Sequence, residues 1–251
     1  MSRNTLYLLG MWSFVLFVLL WLTVPAMIVL GPGHPYPSLV LGGFVVLAFA
    51  VFRWGTKIGD WKIRRELRSD SPEMIVAWLK RSTRFTFVPD KDAIVAHGCA
   101  LVYILYADFD AARATVKAID WERRAPLIRA MKHSLGALLC YLEAGRYETG
   151  LEFARAARDM GRISGVFPGS RMSADAFEAY VEIGEILCGD STDEKVASLE
   201  RKQATLPTLG KLPIAWALAV AYDKRGDRAK AEAARQFIRD VAPHCRAITS
   251  L

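Results

Sequence analysis

His97-Gly98-Cys99 and His244-Cys245 are the close histidine–cysteine pairs of this 251-residue sequence. A protein-held metal ion needs about four converging ligands, and neither pair has two more candidates nearby, so no metal site is expected. His97 then belongs on a helix face and Cys99 in a core. The carboxylates of Asp175, Glu178, Glu182 and Glu185 recur at i, i+3, i+7 and i+10, which stacks them along one side of a helix. A carboxylate-pair catalyst needs a cleft that desolvates one member, and the sequence supplies none. The stripe reads as a solvated outer face or, alternatively, as a docking stripe for a basic partner. Arg155, Arg158 and Arg162 read as a solvated face that also suits a helix C-terminus. H-E-x-x-H, the phosphate-binding G-x-x-x-x-G-K-[ST], G-x-S-x-G and a strand-linked G-x-G-x-x-G are all missing. The sequence therefore predicts neither an enzyme nor a cofactor. Cys99, Cys140, Cys188 and Cys245 are spaced by 41, 48 and 57 residues without a C-x-x-C pair. The first three fall in apolar helical runs and read as small core residues in a reducing compartment.

The elements that must carry these residues begin with two apolar runs. Leu6 to Leu30 contains no charged side chain over 25 residues, and Ser38 to Phe52 contains none over 15. About 18 uncharged apolar residues suffice to cross a bilayer as a helix. The second run reaches that length if Tyr36, Pro37 and Trp54 sit at the interfaces and Arg53 extends outward. Between them, Gly31-Pro32-Gly33-His34-Pro35-Tyr36-Pro37 forbids a continuous helix. The expectation is a transmembrane helical hairpin over 1–54. The first run exceeds the apolar region of a signal peptide and a second follows it, which disfavours cleavage.

The net charge is +7, and its placement decides what it means. Arg53 to Arg84 holds nine basic against four acidic residues, whereas 85–251 is near neutral at +1. A domain that close to neutrality has no general pull on phosphate backbones, so nucleic acid is not an expected partner. Basic residues flanking a span stay cytoplasmic, and Arg3 with the 53–68 cluster puts both termini there. The 55–70 segment reads as a basic juxtamembrane strip, its Ile58, Trp61 and Leu67 either lying on anionic lipid headgroups or forming a solvated linker.

A domain over 71–251 follows. Ser71-Pro72-Glu73 gives a cap and a proline at the first helical position, starting a helix through Met74, Ile75, Trp78 and Leu79 that ends near Arg84. Phe85 to Val88 is too short and unpaired for a strand and reads as an extended linker. From Asp90 onward the spacing is helical and repetitive. Tyr103-x-x-x-Ala107-Asp108-Phe109-x-x-Ala112, Tyr141-x-x-x-Gly145-Arg146-Tyr147-x-x-Gly150 and Tyr222-x-x-x-Gly226-Asp227-Arg228-x-x-Ala231 align at their turns. Small residues at and after each turn let antiparallel helices pack closely. A further unit is expected between the second and third, with helices over Ser173–Leu187 and about Thr192–Gln203, bounded by loops over Gly161–Arg171 and Ala204–Pro213.

This pattern resembles the tetratricopeptide repeat, best in the copy running from Pro213 through Leu218, Ala219, Tyr222, Gly226 and Ala231 to Pro243. Trp216, one position late, Arg235 at a usually aromatic position and Leu138 in place of a small residue depart from it. The fold class expected is all-α: a two-helix transmembrane hairpin followed by a tetratricopeptide-like α-solenoid of about four helix pairs. The resemblance implies protein or peptide binding in a concave groove. Superposed on the repeat, His97, Leu101, Ile104, Leu105, Lys132, Leu135, Leu139, Leu142, Trp216, Val220, Asp223 and Lys224 turn toward that groove. Their apolar character favours an amphipathic helix or apolar segment as ligand; alternatively, the leucines fill a tightly wound superhelix. The functional expectation is a membrane-anchored scaffold or adaptor on the cytoplasmic face of a membrane, in layout like a bacterial inner-membrane protein. The alternative is an accessory or assembly subunit docked on an integral membrane complex through its hairpin, where Gly42, Gly43, Ala48 and Ala50 permit close helix contact.

Overall fold

The computed structural model describes residues 59–82, 90–162 and 170–249. The two apolar runs, the 31–37 turn and Phe85–Val88 lie outside them. Among the described residues there is no strand, as expected of an all-α chain, and no helix long and apolar enough to cross a membrane. Residues 59–66 are helical. The chain from Lys62 onward, apart from residues 87–89, is one compact unit; residues 59–61 belong to a second.

Ten further helices follow: α1 (Glu73–Ser82), α2 (Lys91–Leu105), α3 (Phe109–Lys117), α4 (Pro126–Leu142), α5 (Tyr147–Arg162), α6 (Ser170–Leu187), α7 (Asp193–Thr205), α8 (Thr208–Lys224), α9 (Arg228–Val241) and α10 (Arg246–Thr249). Helices α2/α3, α4/α5 and α8/α9 pack as hairpins, α4 rests on α2, α6 on α5, and α8 on both α6 and α7. One apolar core runs through the stack from Leu67 to Ile248.

The turns carry the periodicity. Ala107, Gly145, Gly189 and Gly226 all have left-handed backbones, at φ 63°, 59°, 107° and 75°. They follow one another at intervals of 38, 44 and 37 residues. After three of them the chain closes the same way: the N–H groups of Asp108, Asp190 and Asp227 donate to the carbonyls of Tyr103, Glu185 and Tyr222, each at 2.9 Å. This arrangement satisfies carbonyls that a helix end leaves open. Asp108, Thr192 and Asp227 then cap the next helix by accepting from the N–H groups of Ala111, Lys195 and Lys230. A Cβ in the left-handed region costs about 1 kcal/mol, so Ala107→Gly is expected to raise stability by about 0.5 kcal/mol after the extra freedom of the unfolded chain is subtracted. Thermal unfolding checks the sign.

Three features differ from the sequence expectation. No loop spans Ala204–Pro213: only Leu206 and Pro207 separate α7 from α8, and Pro213 lies inside α8. Pro213 is buried among Leu212, Ile214 and Ala215, and burial of that run outweighs the roughly 3 kcal/mol a helix pays for an internal proline. Cys188, expected in a core, is exposed where α6 ends, whereas Cys245 is fully buried. Finally, the basic strip over 55–70 does not leave its leucine to lipid or solvent. Leu67 is 0% exposed, Ile63 packs beside it, and Tyr106 Oη donates to Ser69 O at 2.8 Å. Arg64 Nε reaches Thr208 Oγ1 at 2.9 Å. A chain starting at Ser71 is therefore expected to be about 2 kcal/mol less stable than one starting at Lys62, the worth of burying one leucine. Urea unfolding of the two checks it.

Candidate binding surface

The twelve residues predicted to line a groove do not form one exposed wall. Leu101, Ile104, Leu105, Leu135 and Trp216 are at most 5% exposed and belong to the core. His97, Lys132, Leu139, Leu142 and Val220 are half-buried, and Asp223 and Lys224 are exposed. On α4 the face that carries Lys132, Leu135, Leu139 and Leu142 is thus fully closed at Leu135 and partly closed beyond it, where Leu139 and Leu142 pack against the core. On α8, Trp216 is closed, Val220 is half-buried against the core, and Asp223 and Lys224 are exposed.

The polar members have partners. His97 Nε2 lies 3.2 Å from Ser134 Oγ, and Ser134 gives its own proton to Met131 O at 2.8 Å. The serine oxygen is left to accept, which fixes the imidazole proton on Nε2. Burial alone pushes the His97 pKa down to about 4. Lys132 pairs with Glu122 at 2.7 Å and Asp223 with Arg235. Lys224 Nζ donates to the carbonyls of Ile186 and Leu187, where the negative end of the α6 dipole favours a cation.

The acidic stripe on α6 is not a solvated face. Glu178 faces Arg158 and Arg162 of α5 at 3.9 and 3.5 Å. Glu185 takes Arg155 at 3.4 Å and Lys195 at 2.9 Å. Glu182, whose side chain is 12% exposed, holds Lys202 at 2.6 Å and Ser198 at 2.7 Å through Oε1. Asp175 alone of the four is exposed. The stripe and the three arginines are thus two sides of ladders that join α5 to α6 and α6 to α7. Sequence spacing shows each row but not its opposite, which stands 10 to 30 residues away on another helix.

Trp121 was missed altogether. It is 3% exposed at the centre of a small satellite core with Ala93, Ala96 and Ile128. Its Nε1 donates to Val116 O at 2.8 Å. Beside it, Arg124 bridges Asp90 and Asp92 at 2.7 and 2.6 Å. A tryptophan in a loop between helical runs carries no periodicity that would have flagged it.

Among the described residues no group of histidine, cysteine and carboxylate side chains is gathered to hold a metal ion. The chain matches no family model, curated protein or solved structure. Its functional reading therefore rests on its own residues.

Proposed function

We propose that this chain is a membrane-anchored scaffold of tetratricopeptide-like repeats. It holds a protein or peptide partner at the cytoplasmic face of a membrane, in layout a bacterial inner membrane. The observation that carries the reading is the recurrence of a left-handed residue at the helix-ending turns of Ala107, Gly145, Gly189 and Gly226. Repeating helical hairpins present side chains at fixed intervals, which is why such stacks serve as binding surfaces. The uncharged runs 6–30 and 38–52 support the anchor, and the basic residues over 53–68 support cytoplasmic termini and contact with anionic headgroups. A partner meets the part of the inner wall that is not fully closed: Lys132, Leu139 and Leu142 on α4, and Val220, Asp223 and Lys224 on α8. Two leucines with a few charges suit an amphipathic helix.

The test is Leu139→Asp in the full chain, at a side chain half-buried against the core, with helicity measured alongside binding so that loss of the fold is separated from loss of the partner. Unchanged helicity with loss of the co-purifying partner is the expected outcome. Unchanged helicity with the partner retained would remove the inner wall as the binding surface. Burial of Leu101, Ile104, Leu105, Leu135 and Trp216 keeps a second reading alive. In it the repeats cap an integral membrane complex and the hairpin makes the contact.

A further inference from the structure

Helix α1 is apolar on two opposite sides. Ile75, Val76 and Leu79 turn into the core, and the helix packs on α2. Met74, Ala77, Trp78 and Arg81, at i, i+3, i+4 and i+7, make the face roughly 180° away. Met74 is 57% exposed, one of few large apolar side chains left open in the described residues. Ala77 and Trp78 are half-buried, and Arg81 and its neighbour Lys80 are exposed. The core covers the first face, whereas the second is covered only in part and leaves Met74 open.

We propose that this face of α1 seats on a bilayer rich in anionic phospholipid; the inference rests on the anchored reading above. Charge favours that occupant, since residues 62–82 hold six basic against three acidic side chains. Reach favours it as well. Twenty residues separate Phe52 from Glu73 and eight of them, 59–66, are helical. Fully extended at about 3.4 Å per residue, twenty residues span at most about 70 Å, so in an anchored chain α1 is never far from a membrane. A face held that close needs only weak affinity to stay seated. Met and Trp at the level of the headgroups, flanked by Lys and Arg, are the composition that interfacial helices use.

The experiment uses the full chain reconstituted in phosphatidylcholine vesicles with and without phosphatidylglycerol. Cys188, the exposed cysteine, is replaced by serine, and an environment-sensitive fluorophore is placed at Met74→Cys or, as a control, at Ala229→Cys. The label at 74 is expected to shift blue and be quenched by brominated lipid only in the anionic vesicles. At about 1 M salt, where screening acts over about 3 Å, the signal should vanish. Each basic side chain near an anionic surface is worth about fivefold, so Lys80→Glu with Arg81→Glu should cut the seated population about 25-fold or more. The label at 229 should stay in water throughout. A label at 74 that stays in water in anionic vesicles overturns the proposal. So does a blue shift that is equal in both lipids and grows with protein density, because the face would then meet a second copy of the chain. Alkaline extraction is scored separately. A chain washed off the vesicles defeats the anchor, whereas the lipid and salt dependence of the label decides the seating either way.

Discussion

Replacing Tyr141 by alanine should remove about 4 kcal/mol of stability, the usual loss when a large buried aromatic is truncated. The ring is 2% exposed and stands at the end of α4, wedged between glycines of two other helices. A Cβ on Gly150 of α5 would come 2.5 Å from its Cδ1, and one on Gly184 of α6 would come 2.9 Å from its Cζ and closer still to the hydroxyl. That hydroxyl donates to Tyr180 O at 3.1 Å. Gly184→Ala should accordingly cost about 3 kcal/mol by overpacking. Tyr141→Phe alone should cost about 1 kcal/mol for the lost hydrogen bond. In the Gly184→Ala background the same change should restore part of the loss, because it removes the nearest clashing atom, the hydroxyl, while Cζ stays 2.9 Å from the new Cβ. That inversion of sign, read by urea unfolding of the four chains, distinguishes a three-helix wedge from a merely buried tyrosine.

Acid should weaken the contact between the first two hairpins. The His97 pKa is depressed to about 4 by burial against an ordinary value near 6.5, so the folded state binds its proton more weakly than the unfolded chain does. Stability is then complete above about pH 6.5 and falls as pH drops toward 4. The full difference is about 3 kcal/mol at 1.36 kcal/mol per unit of pKa. His133, also lowered, mainly by burial, adds a slope of the same sign. His97→Gln, which preserves a donor for Ser134, is expected to flatten most of the loss between pH 6.5 and 4 in chemical denaturation. An unchanged slope would mean that His97 is solvated in the folded protein.

What the sequence made legible was what local chemistry dictates. Few residues tolerate a left-handed backbone, so aligning Gly145 and Gly226 with Ala107 located turns that do share that conformation. The end of α6 at Leu187 agrees with the sequence expectation, and the start of α7 at Asp193 lies one residue from the expected Thr192. Pro213 misled because a proline reads as a breaker, while Pro207 and the buried run Leu212 to Ala219 decide where α8 starts. Leu67 sits in a strongly basic stretch, and only its partners, Tyr106 among them, reveal it as core. Superposition on the repeat gives a side chain its direction but not its depth. Leu101 and Leu139 occupy comparable positions, and only neighbouring helices make the first buried and the second half-open.

The claim that residues 59–251 select the partner is tested most directly by exchanging the anchor. Residues 1–58 are replaced by an unrelated pair of membrane spans with cytoplasmic ends, and co-purifying proteins are compared with those of the native chain. The scaffold account predicts the same partner at the same yield, lost again when Leu139→Asp is added to the chimera. A partner that disappears from the chimera, yet stays with residues 1–58 fused to an unrelated soluble domain, would contradict the account and assign recognition to the hairpin.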